Sequence, residues 1–115
     1  MSARLQRLTR RAEFLKVADG RRKWVAPGLI LQAMPQPGAD DLRVGFTASR
    51  KVGNAVARNR ARRRLRAASA AVLPTHAAKG HDYVLIARTG TLTRRYDALL
   101  NDLAEGLKRL GVFQA

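Results

Sequence analysis

Between Asp41 and Asp82 the chain has no acidic residue, yet this interval carries Arg58, Arg60, Arg62, Arg63, Arg64 and Arg66 within a few turns of one helical pattern. An α-helix advances about 100° per residue. Ala57, Ala61, Leu65, Ala68 and Val72 recur at steps of four, four, three and four, so they line up on one side. Asn59, Arg62, Arg63 and Arg66 fall on the opposite side, flanked by Arg58 and Arg60. The small apolar face suits packing on a sheet, and the guanidinium groups are left pointing outward as a block. Solvated helices ordinarily mix signs, because opposite charges four residues apart attract and like charges repel. A merely hydrated basic face is the alternative reading. With no carboxylate nearby to relieve the repulsion, a polyanion is the natural counter-charge.

The residues before this helix set its entry. Residues 42–49 alternate as a strand does, with Val44, Phe46 and Ala48 on one face and Arg43, Gly45, Thr47 and Ser49 on the other. Gly45 inside a strand predicts a bulge or a close approach by another backbone. A basic corner with Arg50, Lys51 and Gly53 then leads into the helix. Upstream, residues 1–9 read as a basic arm, mobile at its start. Residues 10–18 predict a short helix stopped near Asp19 and Gly20, with Gly20 suited to the left-handed position after a helix end. Phe14 on that helix is either a core ring or a half-exposed ring over which a nucleotide passes; core rings are the commoner case. Residues 29–34 predict a strand, 35–41 a loop, and 82–88 a strand apolar enough to sit centrally in a sheet. Leu73-Pro74 ends the arginine-helix pattern. Thr91 or Thr93 is the expected N-cap of a last amphipathic helix, whose stripe is Tyr96, Leu99, Leu100, Leu103, Leu107 and Leu110 and which Gly111 closes.

A chain of 115 residues suits one domain with a single core spanning residues 1–115, and 46% hydrophobic content is enough for that core. The net charge of +15 comes mostly from arginine, whose planar fork grips phosphate oxygens where lysine acts as a point charge. Nucleic acid is therefore the leading partner class. A membrane surface would want a bulky apolar face opposite the charge, and this helix offers alanines. With no cysteine, disulfides and cysteine-based zinc sites are excluded. Nothing resembles a secretory signal or a membrane span, so a cytoplasmic location is expected. Catalytic groups are sparse. His76, His81 and Asp82 are neighbours in sequence but offer too few ligands for an expected metal site, and the eight carboxylates are scattered. No phosphate-loop or nucleophile-elbow motif occurs.

The string Arg43-Val44-Gly45-Phe46, then Ser49-Arg50-Lys51-Val52-Gly53-Asn54-Ala55-Val56, Arg58-Asn59-Arg60, Arg63, Leu65 and Arg66, with residues 82–88 as a further strand, resembles the bacterial ribonuclease P protein subunit. The order of elements is similar along nearly the whole chain. The resemblance implies a small two-layer α/β sandwich of the α+β class, a ribosomal-protein-like fold with an unusual left-handed β-α-β crossover. It implies a protein that binds a large catalytic RNA in a holoenzyme that hydrolyses precursor tRNA to release the 5′ leader. No cofactor is then held by the protein alone; magnesium is required by the holoenzyme and held mainly by RNA. Precursor tRNA is the second partner, and neither membrane nor DNA is expected.

Position by position, the resemblance assigns Arg58, Asn59, Arg60, Arg62, Arg63 and Arg66 to the catalytic RNA. The leader cleft of the family, between the first helix and the open sheet face, implies Phe14, Gln32, Thr47, Ser49, Arg50, Lys51 and Arg88, and moves Phe14 to the cleft wall. No residue is assigned a catalytic role. Many members carry a second aromatic four residues after the first; here that position is Ala18. Weaker stacking on the leader is implied, with more of the grip from Arg50, Lys51 and Arg88.

Overall fold

The computed structural model describes residues 5–115. In chain order the elements are β1 (Leu5–Arg7), α1 (Arg11–Asp19), β2 (Lys23–Val25), β3 (Leu29–Pro35), β4 (Leu42–Thr47), α2 (Ala55–His76), β5 (His81–Ala87), α3 (Thr89–Thr93) and α4 (Tyr96–Arg109). The strands form one mixed sheet in the order β1-β4-β5-β3-β2. β4 and β5 are parallel neighbours joined through α2. β5 lies at the centre, as its apolar run predicts.

Alternation divides the sheet into two unlike faces. Leu29, Leu31 and Ala33 of β3, Leu42, Val44 and Phe46 of β4, and Tyr83, Leu85 and Ala87 of β5 point to the face covered by α2 and α4. There they meet Ala61, Leu65, Ala68 and Val72 of α2 and Leu99, Leu103 and Leu107 of α4 in the main core. α2 contributes mostly small side chains to this core, and α4 contributes leucines. Each buried leucine contributes about 1.5–3 kcal/mol by burial. The other face is covered only at one corner, where α1 lays Val17 and Phe14 against Leu8, Met34, Val84 and Ile86.

The chain departs from the sequence expectations at five places. The basic arm is a strand from Leu5, with β1 parallel to β4 and Leu8 buried; residues 1–4 of the arm lie outside the described residues. A three-residue edge strand has no periodicity of its own, and the same holds for β2, which pairs antiparallel with β3. Gly20 closes α1 with an ordinary right-handed φ of −66°, and the left-handed residue is Arg21 at φ 58°. Pro74 lies inside α2, which continues to His76. Its missing N–H frees only the carbonyl of exposed Ala70, while Leu73 stays buried and accepts from the Ala77 N–H. Neither Thr91 nor Thr93 caps α4, whose N-cap is Arg95 without a side-chain bond. Thr91 is buried, where its Oγ1 accepts from the Arg88 N–H and donates to the Gly28 carbonyl.

Candidate nucleic-acid interface

Local chemistry fixes where α2 starts. Gly53, at φ 147°, takes a backbone conformation that side chains resist, and a Cβ there would stand 2.8 Å from that of Ala57. Asn54 is the N-cap, its Oδ1 accepting from the Ala57 N–H at 2.9 Å. The first turn holds no acid, so the positive end of the helix dipole and the arginines add to one another. That arrangement is uphill in isolation and favours a bound anion.

The six residues assigned to RNA behave as one surface. Asn59, Arg60, Arg63 and Arg66 are exposed, and Arg58 and Arg62 are half-buried. Arg58 Nη1 donates to the Gly53 carbonyl at 3.2 Å, and Arg62 Nη2 donates to Asn59 Oδ1. Among the described residues none of these arginines forms a salt bridge; the carboxylates that do, Glu13, Asp82, Asp97, Asp102 and Glu105, pair with Arg43, Arg94, Arg95 and Arg109 instead. Arg64 differs from its neighbours. Its Nη1 donates to the carbonyls of Thr91 (2.9 Å) and Leu92 (3.0 Å), and its Nη2 to that of Arg94, so it ties α2 to the end of α3.

Six of the seven residues assigned to the leader, all but Arg50, lie at or beside the second sheet face. Strand pairing sets Thr47, Ile86, Ile30 and Val25 in one row across four strands, and Gly45, Val84, Gln32 and Lys23 in the next. Phe14 stands over Gly45, so what approaches that glycine is an aromatic side chain and not the backbone expected there. A cleft of about 420 Å³ brings Phe14 and Thr47 together with Thr9, Arg11 and Arg62, which joins this face to α2. A second cleft of about 470 Å³ gathers Ser49, Lys51 and Arg88 around Ile30 and Ile86. Arg88 is exposed, with Nη1 donating to the Ala26 carbonyl. Gln32 is half-buried in the row beside Ile30, and exposed Arg50 lines neither cleft.

Thr9, Arg11, Ile30 and Ile86 are members that sequence reasoning missed. The two isoleucines lie inside apolar runs whose alternation is masked, because both of their faces are apolar. Arg11 stands in the first turn of a helix whose contacts only the tertiary fold reveals.

Farther along the same sheet face lies a polar cluster. Buried Asp82 accepts from Arg43 Nε (2.8 Å), Arg43 Nη2 (2.7 Å) and Gln36 Nε2 (2.8 Å), while Arg43 Nη1 donates to Glu13 at 2.7 Å. The hydrogen bond to Asp82 raises the Arg43 guanidinium further above its ordinary pKa. Glu13 is held below the ordinary carboxylate pKa by the N–H groups of Arg10 and Thr9, with Arg43 adding to this. His81 stacks on Tyr83 and His76 on Phe113. Among the described residues no three His, Asp or Glu side chains stand together as candidate metal ligands. Among the same residues, no helix is long and apolar enough to cross a membrane.

Residues 2–111 match the family model described as Ribonuclease P. The ribonuclease P protein component of Paramagnetospirillum magneticum is 63% identical, over 99% of this chain and 89% of that protein. That of Caulobacter vibrioides is 47% identical, over 90% of this chain and 70% of its own. Among solved structures, the RNase P protein of Staphylococcus aureus superposes with a TM-score of 0.78 at 25% identity, covering 94% of this chain and 97% of that one. The Thermotoga maritima protein gives 0.75 at 25% identity, over 90% and 96%. The motif string, the acid-free arginine helix, the mixed sheet and these matches along nearly the full length agree, and the chain belongs to the ribonuclease P protein component family.

Proposed function

We propose that the protein is the subunit through which a ribonucleoprotein endoribonuclease holds both its catalytic RNA and the 5′ leader of precursor tRNA. The observation that carries this reading is the α2 surface: Arg58, Arg60, Arg62, Arg63 and Arg66 face outward with no intramolecular carboxylate, and Arg62 also lines the cleft of Phe14 and Thr47. Phosphates of the catalytic RNA supply the counter-charge on α2. The leader then runs from that helix across the second sheet face. Phe14 offers a ring for a base, Ile30 and Ile86 an apolar floor, and Arg50, Lys51 and Arg88 backbone contacts. Gln32, Thr47 and Ser49 supply hydrogen bonds. Stacking and backbone cations are indifferent to sequence, as a leader that varies between tRNAs requires.

Hydrolysis in this scheme belongs to the RNA, which also holds the magnesium ions; the protein's share is binding and orientation. The test is cleavage of a 5′-extended tRNA at a few millimolar magnesium by the cognate catalytic RNA, with and without the protein, and by the protein alone. Stimulation only in the combined reaction supports the reading. Cleavage by the protein alone, or binding without preference for extended over mature tRNA, would remove it.

A further inference from the structure

Arg43 opens the motif string but lines neither cleft; its guanidinium lies farther along the second sheet face, two residues from Gly45 on β4. It grips both carboxylate oxygens of Asp82 on β5 and, through Nη1, Glu13 on α1. Two residues along the same face of β4, Gly45 lies beneath Phe14. A Cβ at Gly45 would come within 2.3 Å of Phe14 Cε1 and 2.5 Å of Cζ, so any side chain there displaces the ring. Glu13 and Phe14 are adjacent on α1, and Arg43 and Gly45 are successive positions on one face of β4. Glu13 also accepts from the N–H groups of Thr9 and Arg10, which fixes the point where the chain enters α1. α1 itself has nine residues and one buried side chain, Val17, too little burial to set its position alone.

We propose that Arg43 and Gly45 are positioning residues that key α1 onto β4 at two adjacent points and so place Phe14 on the wall of the Thr47 cleft. The proposal rests on that cleft taking the leader. Arg43 acts from a distance: its fork is spent on Asp82 and Glu13, yet the grip on the leader depends on it. Gly45 acts by having no side chain, which brings the ring down onto the strand and leaves the space above Thr47 open.

The test uses holoenzyme assembled from the full chain and cognate catalytic RNA, with affinities for 5′-extended and mature tRNA compared. Arg43 is a poor first probe, because its loss strands buried Asp82 without a counter-charge. Glu13→Gln and Gly45→Ala leave that pair intact. Phe14→Ala is expected to lower the preference for extended tRNA about five- to tenfold, the low end of a lost stacking contact. Gly45→Ala and Glu13→Gln should each lower it about threefold, with unchanged affinity for the catalytic RNA, a raised KM and an unchanged kcat. Adding Gly45→Ala to Phe14→Ala should cost nothing further, since the displaced ring is already gone.

A second readout needs no RNA. The ring over Gly45 shifts the Gly45 α-proton resonances, and in Glu13→Gln and Arg43→Lys that shift should shrink. Wild-type preference in Gly45→Ala and Glu13→Gln alongside a loss in Phe14→Ala would overturn the positioning role and leave the cleft reading standing. An unchanged Gly45 shift in both Glu13→Gln and Arg43→Lys would overturn the part assigned to Arg43. A Phe14→Ala protein with full preference would overturn the cleft reading and this proposal together.

Discussion

Arginines a single position apart in this chain do different work. Arg63 projects into solvent and Arg64 is folded back onto three carbonyls, although both lie in one run and look alike in sequence. Removing Arg63 as Arg63→Gln should flatten the salt dependence of catalytic-RNA binding by about one unit of log–log slope and leave stability within about 0.5 kcal/mol. Arg64→Gln should do the reverse: the melting point falls, by about 1–3 kcal/mol of stability, because charge-assisted bonds to the last carbonyls of α3 are lost. A salt titration and a thermal melt on the two variants check both. Arg21 is unusual in another way, being a non-glycine in the left-handed region with its side chain exposed. Arg21→Gly should stabilise the fold by about 1 kcal/mol, read by chemical denaturation, because glycine adopts that conformation without a steric penalty.

At the level of elements, α2 and α4 divide the labour of the core. α2 spends one face on burial and the rest on charge, whereas α4 is anchored by Leu99, Leu103 and Leu107, all fully buried. Leu103→Ala should therefore cost about 2–5 kcal/mol in a denaturant melt, without changing the salt slope of RNA binding. α1 depends on polar links, so its attachment is pH-sensitive. The folded-state pKa of Glu13 lies below its ordinary value of 4.5. A depressed carboxylate pKa contributes stability above the unfolded value and loses it as pH falls through the folded one. The melting-point advantage of the wild type over Glu13→Gln should be constant at neutral pH, begin to fall near pH 4.5 and vanish only below the lowered folded-state pKa, in melts run across that range. α2 was legible in the sequence because both its faces recur with the helical period. β1 and β2 were not, since three residues carry no period and exist only by pairing with β4 and β3.

Across the whole molecule the two sheet faces have separate tasks, and the charge follows them. One face is closed by α2 and α4 into the main core, and the other is left open except where α1 crosses it. The arginine helix meets the open face at Arg62, which with Arg11 lines the cleft of Phe14 and Thr47. The sequence by itself determined the two-faced arginine helix, the central strand β5, the leucine stripe of α4 and, through the motif string, the family. These are properties of neighbours along the chain, where side-chain spacing and backbone geometry are enough. The tertiary structure alone decided which arginines remain free, why Gly45 is a glycine, and how Arg43 reaches Asp82, a partner 39 residues away. It also decided that Ile30 and Ile86 floor a cleft. Each of these depends on strand register and helix docking, which bring distant residues within hydrogen-bond or van der Waals range, and no local period encodes them.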